Sequence, residues 1–243
     1  MNRLLTIKNA CLAGITALLP LQAIAKQDLP NFVIVLTDDQ GWGDVGYNGH
    51  PVIKTPELDE MAKSGIQFDR FYATSSVCSP SRASAVTGRS NYRLGISTPL
   101  NKGWHLSEKE ITIPEALRTK GYVSGHFGKW HIGAFTDERD PGHKMTPGMA
   151  GFDVWFSTPN VLPTYDPYKK GYKEGKYVMY WDNGRNITRE EGVKEPTLRG
   201  CDAALMTNKA MEFMTKQVKA DKPFFTFICL HNVHTPMAVI PEL

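Results

Sequence analysis

The sequence predicts an α/β fold, a mostly parallel sheet flanked by helices. Phe32–Leu36 is a continuous apolar, β-branched run, the pattern of a strand covered on both faces, and the aromatic-rich Phe224–Leu230 reads as a second buried strand. Between them, helical segments open with Pro and stop at Gly, so strands and helices alternate. Polar clusters fall directly after the strands, where parallel α/β sheets bind their ligands. With 41% of its 243 residues hydrophobic, the chain can bury one sizeable core or two small ones.

Met1 to Asn9 carries Arg3 and Lys8 and no acid, Ala10 to Leu21 is a short apolar stretch, and Ala23-Ile24-Ala25 follows. This is the pattern of a secretory signal peptide over residues 1–25, and it predicts a periplasmic or secreted protein. Pro20 argues against a buried N-terminal helix. Removing the segment lowers 28 Lys and Arg to 26 against 25 Asp and Glu, a net charge of +1. The cysteines then left are Cys78, Cys201 and Cys229, an odd number, and spacing leaves a Cys201–Cys229 bridge open.

After the strand at 32–36, Thr55-Pro56 opens a helix that stops near Gly65, and Ile66 to Tyr72 reads as a short strand. Ser79 to Thr87 reads as a helix with Ser79 as N-cap and Pro80 at its first position. Ile113-Pro114 opens another helix that stops at Gly121, and Tyr122 to His126 reads as the next strand. Residues 136–195, rich in Gly, Pro, Tyr and Trp, read as excursions and hairpins on the edge of the domain. Leu198 to Lys219 reads as a long amphipathic helix before the strand at 224–230. The aromatic stretch from Trp155 to Trp181 fits either stacking on sugar rings or local packing.

Composition excludes several classes. Charge is close to balanced and no basic block occurs, so no nucleic-acid partner is expected. Nothing after residue 25 is apolar for long enough to span a membrane. No histidine pair has zincin spacing and no CxxC pair occurs, so zinc is not expected.

Four clusters carry the chemistry. Asp38 and Asp39 can converge only where their strand ends, and two carboxylates there suit a hard cation, although a turn with a helix cap has the same composition. Cys78 stands just before a predicted helix start, with Arg82 one turn along, where the helix dipole favours an anion. Small polar neighbours argue against a buried structural cysteine. The three residues between Cys78 and Arg82 are too few for a cysteine-phosphatase loop. Lys129 and His131 share a face of an extended segment, which suits an anionic substrate, while His126 can be structural. The last strand ends in His231 and His234, either of which could serve as a general acid.

Together these clusters resemble the N-terminal part of a type I, formylglycine-dependent sulfatase of the alkaline-phosphatase-like superfamily. The resemblance rests on Cys78, Pro80, Ser81 and Arg82, followed by Ala83 and Thr87-Gly88-Arg89. It rests equally on their order, after Asp38-Asp39 and before Gly128-Lys129-Trp130-His131. It implies that residues 26–243 are the N-terminal portion of a sulfatase catalytic domain. It further implies that a maturation enzyme converts Cys78 to formylglycine during export, which would account for the odd cysteine.

In that family the hydrated aldehyde presents a geminal diol. One hydroxyl, bound to calcium, attacks sulfur while His234 protonates the leaving oxygen; the other then loses its proton, and the C–O bond breaks to release sulfate. The resemblance makes Cys78, Arg82, Lys129, His131 and His234 the catalytic residues, and Asp38, Asp39 and the modified Cys78 calcium ligands. His234 is taken over His231 because the family's histidine is followed by a small residue and then Pro.

The expected substrate is a sulfate ester, either an aryl sulfate or a sulfated glycan. Family members are usually much longer, and their second half brings an Asp-Asn pair for calcium, a further lysine and a small C-terminal domain. The chain therefore reads as a truncated form. Asp182-Asn183-Gly184 precedes the last strand and reads as a turn, not as that pair. Rival readings are a phosphate or phosphonate ester hydrolase of the same superfamily, or an inactive fragment that only binds sulfated ligands.

Overall fold

The computed structural model describes residues 29–99, 105–135, 145–169 and 180–238. The predicted signal peptide lies outside them. Strand β1 (Phe32–Leu36) leads to helix α1 (Pro56–Ser64), α2 (Cys78–Thr87) and α3 (Ile113–Arg118). Strands β2 (Val123–Lys129) and β3 (Val154–Thr158) follow, then the two-residue strands β4 (Trp181–Asp182) and β5 (Arg185–Asn186). Helices α4 (Arg189–Lys194) and α5 (Asp202–Lys219) precede the last strand, β6 (Phe224–Cys229).

These strands form one sheet in the order β1-β6-β2-β3-β4-β5. Its first four strands are parallel, and β4 and β5 add an antiparallel hairpin. The mostly parallel α/β sheet expected from the sequence is therefore present.

Strand β6 shows how sequence builds the core. Alternate residues of a strand face opposite ways, so Phe225, Phe227 and Cys229 pack with Ala83 and Val86 of α2, while Phe224 and Ile228 pack with Met206, Ala210 and Phe213 of α5. Each fully buried phenylalanine contributes about 1.5–3 kcal/mol. Register then aligns the strand ends: Leu36 lies beside Cys229, Gly128 beside Cys229, and Lys129 beside Thr158. The segments leaving β1, β6, β2 and β3 consequently emerge along one edge.

Several sequence expectations are corrected. Strand β1 is not covered on both faces, because it lies at the sheet's edge and Phe32 to Val35 are 38–56% exposed. Ile66–Tyr72 is not a strand; it pairs with no strand among the described residues, and Ile66, Phe68 and Phe71 are exposed. Helix α2 starts at Cys78 with Val77 as its extended N-cap, so Ser79 and Pro80 are already helical. Helix α5 starts at Asp202, after a short 3-10 turn at Pro196–Leu198.

The stretch 136–195 is more than edge excursions, since β3 pairs in parallel with β2 inside the sheet. Strand β2 runs on through Lys129. Asp182-Asn183-Gly184 does form a hairpin turn, with Asn183 and Gly184 at positive φ. Cys201 and Cys229 are free thiols and form no bridge. Trp155, Tyr168, Tyr180 and Trp181 are buried, which favours packing over sugar stacking for these four.

Candidate active site

Beyond β1 the backbone closes against the end of β6. The Asp38 N–H donates to the Asn232 carbonyl at 2.8 Å, and the Val233 N–H donates to the Asp38 carbonyl at 2.8 Å. Asp38 points inward and is buried, whereas Asp39 takes a left-handed backbone (φ 56°) and leaves its carboxylate exposed.

Asp38 is held by two cations. Arg82 Nη2 reaches one carboxylate oxygen at 3.0 Å, and Lys129 Nζ reaches the other at 2.6 Å. Arg82 Nη1 also donates to the Lys129 carbonyl at 2.8 Å, tying α2 to the end of β2. Burial alone would raise the Asp38 pKa, but the charges of Arg82 and Lys129, with their hydrogen bonds, bring it below its ordinary value. Loss of Asp38 would leave two buried cations without their counter-charge, a change of the kind that costs about 3–5 kcal/mol. The triad carries a net charge of +1, which suits an anionic ligand beside it.

Cys78 is the first residue of α2 and only half-buried. That first turn has no acidic residue and no side-chain cap, so its dipole is left to favour an anion. His131 Nδ1 lies 3.1 Å from the Cys78 sulfur, on a residue with φ 55°. Burial first, then the neighbouring charges of Lys129 and Arg82, push the His131 pKa down to about 3, so the ring is neutral at ordinary pH.

Across a cleft of about 440 Å³ stands His234, with Asp39, Gln40, Ser76 and Val77 also on the walls. Its Nδ1 is engaged by the Thr235 carbonyl, and its Nε2 faces Asp39 Oδ2 at 3.5 Å. All seven residues singled out from the sequence thus meet in one place: Asp38, Asp39, Cys78, Arg82, Lys129, His131 and His234.

Two of the histidines weighed from the sequence, His126 and His231, stay outside the cleft. His126 is fully buried, bonded through Nδ1 to the Ser157 hydroxyl at 2.7 Å and edge-on to Trp130, Phe152 and Phe227. His231 is buried between Asp202 and Thr158. Thr158, Asp202 and Tyr180 are polar residues that the sequence did not single out; Thr158 would have been approachable only had β3 been recognised.

The acids fit calcium only in part. That ion takes six to eight oxygen ligands. Here both oxygens of Asp38 already meet cations, and Asp39 alone is open. Among the described residues no group of three or more His, Cys, Asp and Glu is arranged to hold a metal. The half-buried, unbridged Cys78, facing the cleft, does have room for a hydrated aldehyde.

A protein-family model described as Sulfatase matches residues 30–243. This chain belongs to the sulfatase family. It is 34% identical to N-acetylgalactosamine-6-sulfatase of Mus musculus, over 94% of this chain and 45% of that protein. It is 32% identical to arylsulfatase A of Homo sapiens, over 85% of this chain and 42% of that one. Among solved structures it is similar to Ps i-CgsB in complex with k-i-k-neocarrahexaose, with a TM-score of 0.72 and 28% identity over 85% of this chain and 46% of that chain. The sulfatase chain thus spans less than half the length of these relatives.

Proposed function

We propose that this chain carries the reaction centre of an exported sulfatase that cleaves sulfate esters, with position 78 as the nucleophile. The observation that carries the reading is the convergence at α2's first residue. Cys78 faces His131 at 3.1 Å, beside the Arg82–Asp38–Lys129 triad, and shares a cleft with His234.

Conversion of Cys78 to formylglycine would supply an oxygen nucleophile from the hydrated aldehyde, and its covalent sulfate ester collapses by elimination without attack by water. The chain's own side chains do the rest. Arg82, Lys129 and the α2 N-terminus form a preorganised positive field for the sulfate. Neutral His131 presents Nδ1 to position 78; a ring with a pKa of about 3 is a weak base, so its first task is to orient the hydroxyl it faces. His234, with Nδ1 committed to the Thr235 carbonyl, exchanges protons with the cleft through Nε2 and so can protonate the leaving oxygen.

Asp38 and Asp39 contribute to a calcium site that the described residues do not complete, and no step here is routed through the ion. A sulfated glycan is the favoured substrate class. Supporting it are relatives named for N-acetylgalactosamine 6-sulfate and a similar structure that holds an oligosaccharide. Export rests on the signal pattern at residues 1–25, and conversion of Cys78 requires a maturation enzyme as partner.

Parallel assays of an aryl sulfate and an aryl phosphate on the wild type and on Cys78→Ser test the reading. The wild type should turn over the sulfate preferentially, and Cys78→Ser should lose on the order of 1,000-fold or more in kcat. A strong phosphatase preference, or full activity in Cys78→Ser, would overturn the assignment. Sulfate-glycan binding with no turnover in matured protein would replace it with a binding role.

A further inference from the structure

Thr158, the last residue of β3, is completely buried and bonds in two directions. Its carbonyl accepts the Trp130 N–H at 2.8 Å, which fixes the backbone between Lys129 and His131. Its hydroxyl lies 2.7 Å from the Asn160 carbonyl and 2.7 Å from His231 Nε2. A hydroxyl has one proton and a carbonyl only accepts. The Thr158 proton therefore goes to Asn160, and the hydroxyl oxygen accepts from Nε2–H.

The other face of the ring meets Asp202 Oδ2, 2.7 Å from His231 Nδ1. Tyr180 donates its phenol to the remaining oxygen, Asp202 Oδ1, at 2.5 Å. Burial, with the Asp202 carboxylate beside it, pushes the Tyr180 pKa well above its ordinary value, so Tyr180 keeps its proton. Asp202 opens α5, where the helix dipole favours a carboxylate. An ionised Asp202 accepts from Nδ1–H, so both nitrogens of His231 donate.

The backbone carries this order to the site. The His231 carbonyl accepts the His234 N–H at 2.9 Å, and residues 232 and 233 are clamped to Asp38. We propose that Thr158, His231, Asp202 and Tyr180 form a buried positioning relay, with His231 held as an imidazolium. Thr158 sits at its centre and sets the His131 segment and the His234 loop against each other. The proposal rests on the reading of those two histidines as site residues.

A buried ion pair is an expensive way to fill a core, since apolar residues of similar volume often do as well or better for stability. Fixing the separation between two loops is a task that apolar packing does less sharply. Sequence pattern singles out His231 but does not join it to the other three, because the members come from β3, the β6 exit, α5 and the approach to β4.

The test has two arms. Proton-detected ¹⁵N spectra of the histidine-labelled protein at neutral pH should show His231 with both ring nitrogens protonated, a signature lost in Asp202→Asn. Steady-state kinetics on an aryl sulfate should show kcat falling by up to about 100-fold in Thr158→Val with KM little changed, and recovering in Thr158→Ser. A His231 ring with a single protonated nitrogen overturns the proposal, as does Thr158→Val turning over like the wild type. Absence of turnover in the matured wild type would sink the sulfatase reading and leave the relay to be decided by the spectra alone.

Discussion

At Asp38 a single carboxylate meets two cations from different elements, and the site's geometry follows from that choice. Arg82 is drawn in from α2 and Lys129 from β2, so Cys78 and His131, one turn and two residues away, are brought within 3.1 Å. His126, three residues before Lys129, shows the opposite use of the same residue type. It is fully buried, and desolvation first, then the charges of Arg82 and His231, push its pKa down to about 3 from an ordinary 6.5. The unfolded chain therefore binds more protons than the folded one between those values. The stability His126 contributes is complete above pH 6.5 and is lost as pH falls toward 3. Histidine NMR should find His126 silent between about pH 5 and 8, and a midpoint near 6.5 would contradict its neutral burial. The seven cleft residues were legible because short motifs fix their identity and order. Of the Thr158–His231–Asp202–Tyr180 group only His231 was singled out, since the other three are far apart in sequence and belong to no pattern.

Among the elements, β2 is where sequence and geometry constrain each other most tightly. Gly128 has φ 107°, and a Cβ there would lie 1.9 Å from the Cys229 carbonyl oxygen on β6. The close approach of β2 to β6 sets Lys129 beneath the cleft, so glycine in the Gly-Lys-Trp-His motif has a backbone reason. Gly128→Ala should destabilise by at least about 4 kcal/mol or prevent folding, read by urea unfolding. A well-folded variant of near wild-type stability would contradict the described register. Strand β6 was readable because a largely apolar run announces it, and β2 because it follows the helix stop at Gly121. Strand β3 was missed because its five residues lie among Gly, Pro and turn signals, and only pairing with β2 makes them a strand. Ile66–Tyr72 runs the other way: apolar residues there suggest a strand, but a strand needs a neighbour, and none is offered among the described residues.

Over the whole molecule, one side of the sheet is well covered and the other ends in an open apolar edge. Among the described residues strand β1 pairs only with β6, and Ile66, Phe68, Phe71 and Tyr72 elsewhere on the surface are largely exposed. An unprotected edge strand with apolar side chains is a template for association. Sedimentation velocity should therefore show the 243-residue chain self-associating with concentration, and Val33→Lys with Val35→Lys should suppress it. A strictly monomeric wild type would show that this face is protected in solution. The chemistry lies instead beside the buried, paired charges of Arg82, Asp38 and Lys129. The proposed reaction depends on position 78 being a matured catalytic residue. Mass spectrometry of the tryptic peptide Phe71 to Arg82, from protein exported by its native host, tests this most directly. The Cys78 thiol should be found replaced by an aldehyde; an unmodified thiol, in a host that matures other sulfatases, would overturn the catalytic role proposed for position 78.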